Sequence, residues 1–322
     1  MWRRTAAMAA VLLLAVSGCA EVGPGKADLS GLRIMVPNRP GGGYDITART
    51  AAKVLGEAGI LYDVEVFNLP GAGGVVGLQR LVYERGNSRL LMLMGLGVVG
   101  SQYTQPSRAT LRDTTPIARL IQEPDIVVVT RDSPYQSLDQ LVEAWRQDPA
   151  SFRLGGGSAA GGPDHLAAML LAKGLGISPR TVAYQSYDGG GALLAAILGR
   201  EVTFGVSGLA EYYDQIKQGQ LRVLAVTSDR RVSDIEAPTL RQAGVDVVFA
   251  NWRGIVAPPD LPPADVTALR ELVGQMHASA EWGAAVSRNG WTDAYLTGDA
   301  YGEFLREESD RVAGVLADLG LH

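Results

Sequence analysis

Three glycine-rich stretches carry the first chemical signal of the chain: Gly41, Gly42 and Gly43; Gly71, Gly73 and Gly74 around Ala72; and residues 155–162, "GGGSAAGG". Each follows an apolar run and precedes an amphipathic one. A helix start exposes about four unpaired N–H groups and roughly half a positive charge. Glycine lets a ligand approach such amides closely and tolerates positive φ. The device binds anionic oxygens without lysines. Taken singly, each loop is better accounted for as a strand-to-helix turn, with Asp45 or Asp164 capping the helix that follows. Three such loops in one chain point to a shared anion site.

Other chemistry is thinly represented. "GLGVVG" places Gly95, Gly97 and Gly100 in a GxGxxG pattern, but the polar "SQYTQPSRAT" that follows is not the long helix a dinucleotide site needs. No GxxxxGK[ST] loop occurs. "GGSAA" around Ser158 approaches a nucleophile elbow, yet Ala160 stands where the last glycine belongs. Ser158, Asp164 and His165 are close enough in sequence to form a hydrolase group. The three histidines, His165, His277 and His322, and the lone cysteine show no metal-ligand spacing. No metal, cofactor or catalytic residue is therefore expected.

The elements that must position the loops follow from hydrophobic periodicity. "LRIMVP" (32–37), "YDVEVFNLP" (62–70) and "RLLMLMG" (89–95) read as strands alternating with helices, which predicts parallel pairing. "DIVVVT" (125–130) reads as a continuation of that sheet. After a crossing near residues 120–130 the α/β pattern restarts through "FRLGGGS", "TVAYQS", "VTFGVSG" and "LRVLAVTS". We expect two α/β lobes, one from 31–125 plus about 240–322 and the other from about 126–239.

The N-terminus reads as an export signal. Arg3 and Arg4 precede a short apolar run, and "VSGCA" resembles a bacterial lipobox with Cys19 as the lipidated residue. Residues 1–19 are expected to be the lipoprotein signal and 20–30 a tether. Loss of Arg3 and Arg4 with the leader leaves 27 basic against 34 acidic residues. With no basic cluster, nucleic acid is excluded as a partner. No later apolar run reaches the length of about 20 residues that a membrane span needs.

In order, "PNRPGGGYDITAR", "NLPGAGGVVG", "GGGSAAGGPDHLA", "GGGALLAAILGREVTFGVSG", "GQLRVLAVTSDRR", "APTLRQAG" and "NWRGIVAPP" resemble the solute-binding receptors of tripartite tricarboxylate transporters, the Bug family. They look most like its tricarboxylate branch, over roughly residues 31–318. The resemblance implies a type II periplasmic-binding-protein fold, with two α/β lobes around a ligand cleft. It implies a non-catalytic receptor that passes a citrate-like di- or tricarboxylate to membrane subunits, as a monomer lipid-anchored in the cell envelope through Cys19. One carboxylate would meet Gly41, Gly42, Gly43, Tyr44 and Asp45 on one loop and Pro70, Gly71, Ala72, Gly73 and Gly74 on the next. The opposite lobe would contribute Ser158, Ala159, Gly161, Gly162 and His165, then Tyr187, Asp188 and Gly189. Asp188 departs from the family's "PYKGG"-like segment and would repel a carboxylate unless it points away or meets a hydroxyl or amine. A sensor input to a signalling system is the alternative, and a secreted hydrolase a more distant one.

Overall fold

A computed structural model describes residues 29–321. Residues 1–28 and His322, and with them the signal, Cys19 and most of the tether, lie outside the described residues.

Two mixed sheets form the scaffold. The first has six strands: β1 (Arg33–Val36), β2 (Glu65–Asn68), β3 (Leu90–Gly95), β4 (Thr115–Glu123), β10 (Asn251–Ala257) and β11 (Thr292–Thr297), in the order β11-β4-β10-β3-β1-β2. The second has five: β5 (Asp125–Thr130), β6 (Arg153–Gly156), β7 (Ala183–Ser186), β8 (Phe204–Gly208) and β9 (Leu221–Val226), in the order β7-β6-β8-β5-β9. Strand β3, LLMLMG, is buried along its whole length, as expected of a central strand covered on both faces.

The expectation of parallel sheets holds only for β1 with β2 and β3, and for β6 with β7 and β8. Strand β10 runs antiparallel to β3 and β4, and β5 runs antiparallel to β8 and β9. "DIVVVT" does not continue the first sheet. It is β5, in the second. Pro124 separates β4 from β5, and with no N–H to give it ends one ladder before the next begins.

The chain crosses back between β9 and β10, and the two crossings lie side by side. Asn251 is in register with Glu123. The Thr227 hydroxyl accepts from Asp125 N at 2.9 Å and donates to the Phe249 carbonyl at 2.8 Å, tying the outgoing strand to the returning one.

Helices α1 (Gly43–Glu57), α2 (Val75–Tyr83), α3 (Leu96–Thr104), α8 (Pro263–Ala278), α9 (Ala280–Arg288) and α10 (Gly298–Asp318) accompany the first sheet. Helices α4 (Leu138–Gln147), α5 (Pro163–Gly174), α6 (Gly190–Leu198) and α7 (Tyr213–Lys217) accompany the second. The "GLGVVG" stretch is the end of β3 and the body of α3, so its glycines form no phosphate loop. Gly97 N instead donates to the Tyr44 hydroxyl at 2.9 Å.

Candidate functional site: a cleft between the lobes

The N-terminal ends of α1, α3, α5 and α6 open on one cleft of about 600 Å³ between the two lobes. Their summed dipoles make it favourable to anionic groups without a lysine. Of the residues singled out from sequence, Gly42, Gly43 and Tyr44, the whole 70–74 loop, Ser158, Ala159, Gly162, Tyr187, Asp188 and Gly189 line it. Gly41, Asp45, Gly161 and His165 do not line it. They stand behind the loops.

The two helix-start loops are braced by the same device. Gly41 N donates to Asp45 Oδ2 at 3.0 Å, and Gly161 N donates to His165 Nδ1 at 3.2 Å, each reaching a side chain four residues on. Neither Asp45 nor Asp164 is the N-cap. Gly42 and Gly162 occupy those positions without a side-chain bond. The reason is geometric: an acid in the first turn reaches back past the cap to the loop amides. Burial would raise the Asp45 carboxyl, but bonds from Arg49, Gly41 N and Asn68 outweigh it and hold the group below its usual range. Asp164 Oδ2 accepts from Gly157 N at 2.7 Å.

These bonds dismantle the hydrolase group. Ser158 Oγ accepts from Asp164 N at 3.1 Å, and His165 Nδ1 is taken by Gly161 N. Burial lowers His165 to about 4, so the ring is neutral near pH 7 and sits edge-on to Tyr184. His165 is therefore not presented to Ser158 as a base.

Asp188 does not confront a ligand unpaired. It forms an ion pair with Arg39, which joins the two lobes across the cleft mouth. Deeper in, Arg253 is fully buried and bonds Glu123 and, at 3.0 Å, the Thr47 hydroxyl. Burial brings Arg253 down to about 10, so it stays charged. Trp252 points away, against Phe304 and Tyr301, and its indole N–H donates to Glu308 at 3.1 Å.

Sequence reasoning missed Asn38, Ser101, Glu211 and Asn251, which line the cleft together with Arg253. Each has a solvent-shielded polar atom with no hydrogen-bond partner among the described residues: Asn38 Oδ1, Ser101 Oγ, Glu211 Oε2, Asn251 Oδ1 and Arg253 Nε. The Tyr187 hydroxyl is a sixth. Buried polar groups are normally satisfied, so a cluster of unsatisfied ones around a cavity marks where a ligand or its waters belong.

Residues 43–321 match the family described as the tripartite tricarboxylate transporter family receptor. The chain belongs to that family. It is 27% identical over 297 residues to protein BugT of Bordetella pertussis, covering 90% of this chain and 89% of BugT. The solved periplasmic binding protein BugD superposes with a TM-score of 0.81 at 21% identity, over 90% of this chain and 98% of BugD. MatC of Rhodopseudomonas palustris, solved with bound malate, gives 0.76 at 21% identity, over 88% and 98%. This receptor thus has the two-lobed α/β fold of periplasmic binding proteins and is not an enzyme. No helix among the described residues is long and apolar enough to cross a membrane, and none of their His, Cys, Asp and Glu side chains group to hold a metal.

Buried acids at the cleft give the closed receptor a pH signature. Burial, reinforced by Asp164, pushes Glu211 up to about 8, and burial raises Asp164 to about 6. Asp125, behind them, is raised well above its usual value by burial and then by Asp164 and Glu211. A carboxyl whose folded pKa lies above its unfolded value favours folding while protonated. That stability is complete below the unfolded pKa and is lost as pH rises through the folded one. For Glu211 the window runs from 4.5 to about 8. His165 acts in the opposite sense, but only below its ordinary 6.5. Between pH 6.5 and 8, therefore, Tm should fall by a few degrees in calorimetry, and Glu211→Gln should flatten much of that slope. A flat wild-type profile would contradict the assignment.

Proposed function

We propose that this receptor captures a small carboxylate in the cleft by the amides of its glycine loops and hands it to the membrane subunits of a tripartite tricarboxylate transporter. The cluster of unpartnered polar atoms around a cleft that opens on four helix N-termini carries this reading. MatC, a structural neighbour, holds malate, a dicarboxylate. Di- and tricarboxylates, citrate among them, are the ligands to test first. In the same reading the protein works as an exported monomer, divided into lobes 31–125 plus about 240–322 and about 126–239, and attached to the cell envelope through lipidated Cys19. The 41–45 and 70–74 loops take one carboxylate, and 158–162 with 187–189 close over the rest.

A thermal-shift series of the purified protein against carboxylates tests it. A ligand at about 100 times its Kd adds roughly 2.7 kcal/mol, a rise of several degrees. Gly73→Val should abolish that rise. Gly73 has φ +63°, and a Cβ there would lie 2.0 Å from Ser101 Oγ, so any side chain strains the loop and fills the cleft beside it. A response to sugars or amines in place of carboxylates, or full affinity in Gly73→Val, would refute the site.

A further inference from the structure

The closed cleft holds more acid than its cations answer. Its two arginines are committed, Arg39 to Asp188 and Arg253 to Glu123. Asp164 is held by the Gly157 amide and Glu211 by the Gly43 amide, while both carboxyl oxygens of Asp125 have no hydrogen-bond partner among the described residues. A carboxylate ligand brings further negative charge into that space.

Of these three acids, Glu211 is the one that bonds across the lobes. It lies in the turn after β8 of the second lobe, and its Oε1 accepts from Gly43 N, at the start of α1 in the first, at 3.1 Å. Its Oε2 is shielded from solvent and lies at the start of α6, where a Cβ on Gly190 would come within 1.7 Å of it. Opening takes Gly43 away and returns the carboxyl to water. Closing strips that water from a group that already faces Asp164 on α5, Asp125 on β5 and the neighbouring Tyr212.

The first lobe brings no free cation to it. A Cβ on Gly43 would lie 2.2 Å from Arg253 Nη2 and 3.0 Å from Glu211 Oε1, but Glu123 already answers that guanidinium. Tyr44, next on α1, turns its hydroxyl to Gly97 N. Burial and then Asp164 push the Glu211 carboxyl up to about 8, against the amides of Gly43 and Gly190, which favour its ionised form. The neutral acid fits the same geometry: Oε1, as the carbonyl oxygen, accepts from Gly43 N, and Oε2 carries the proton.

We infer that the receptor takes up one proton on Glu211 as it closes over its ligand, so that proton and carboxylate are captured together and affinity falls as the medium turns alkaline. This rests on the carboxylate-receptor reading and adds a second cargo to it. The proton comes from solvent, and the ligand stays ionised. In the open form Glu211 keeps its ordinary 4.5 and in the closed form about 8. The gain is therefore complete below 4.5 and is lost as pH rises through 8. By linkage, the ligand raises proton affinity as much as the proton raises ligand affinity.

Titration calorimetry in buffers of contrasting ionisation enthalpy counts the proton. The probes are malate, succinate and adipate, whose carboxyls are ionised from pH 7 to 9. The expected result is close to one proton taken up per ligand at pH 7, close to none at pH 9, and a Kd about tenfold weaker at pH 9. Glu211→Gln, a neutral side chain of the same shape, should take up no proton and bind more tightly than the wild type at pH 9. No uptake at pH 7, or a Kd that does not change, would overturn the inference and leave the receptor reading intact. So would a Glu211→Gln protein that still takes up the proton. Should that variant fail to fold, the wild-type midpoint decides: uptake half lost near pH 8 supports Glu211, and near pH 6 it marks Asp164 and overturns the assignment. Absence of binding by all three probes and by citrate would remove the receptor reading and this inference with it.

Discussion

Gly100→Ala is expected to leave the receptor folded and to weaken carboxylate binding by about ten- to a hundredfold. Gly100 lies within α3 of the first lobe, where backbone meets backbone from the second: a Cβ at this position would lie 1.8 Å from the Gly161 carbonyl oxygen. Thr104 on the same helix donates to the Ala160 carbonyl at 3.1 Å, so this is a true inter-lobe contact. Neither backbone can rotate away as a side chain would, and the lobes must part to admit the methyl. Overpacking of this kind costs about 1–3 kcal/mol, and every 1.4 kcal/mol is about tenfold in affinity. In an open receptor the same methyl meets no opposing carbonyl, and alanine favours a helix over glycine by about 1 kcal/mol. The diagnostic result is thus opposed in sign: Tm without ligand unchanged or higher, affinity lower. Small-angle scattering should show the variant failing to contract when ligand is added. Wild-type affinity in Gly100→Ala would mean that the lobes bind without meeting at this contact.

Arg253→Met should produce the largest loss of stability of any single cleft substitution. Glu123 and Arg253 are both fully buried, and the arginine is the acid's ion-pair partner. Removing one member of such a pair strands the other charge and costs about 3–5 kcal/mol, a fall in Tm on the order of 10 °C. Binding should suffer as well, because Arg253 underlies the first turn of α1: a Cβ on Gly43 would lie 2.2 Å from its Nη2. The double variant Glu123→Gln, Arg253→Met removes the stranded charge and should recover much of the lost Tm in calorimetry, though not the affinity. A single variant that melts with the wild type would show that the buried pair adds nothing to stability.

The glycine loops were legible because their signal is local. A strand, glycines and an amphipathic helix follow within twenty residues, and the three loops do converge on one cleft. The resemblance likewise gave the two lobes. Chemistry that depends on distant partners was not legible. Nothing around Glu211 in "GLAEYYD" marks it as an acid that spans to Gly43, 168 residues away. Ser101 opens a polar stretch and Asn251 lies 150 residues further on, and only the fold reveals that they face one space. Asp45 and Asp164 misled because an acid near a helix start looks the same in sequence whether it caps the helix or braces the loop before it. Strand β4 was hidden by Pro124, which lets one extended run serve two sheets, so the crossing could be placed but its two strands could not be told apart.

The paired crossings have a mechanical consequence. Two adjacent extended segments, stitched by the Thr227 hydroxyl and by the Asn251–Glu123 register, form a narrow ribbon. A ribbon bends easily about one axis and resists twist and sideways slip. Opening therefore reduces to a single angular coordinate. On the function proposed above, a membrane subunit that touched both outer rims would need to gauge only that angle to distinguish a loaded receptor from an empty one.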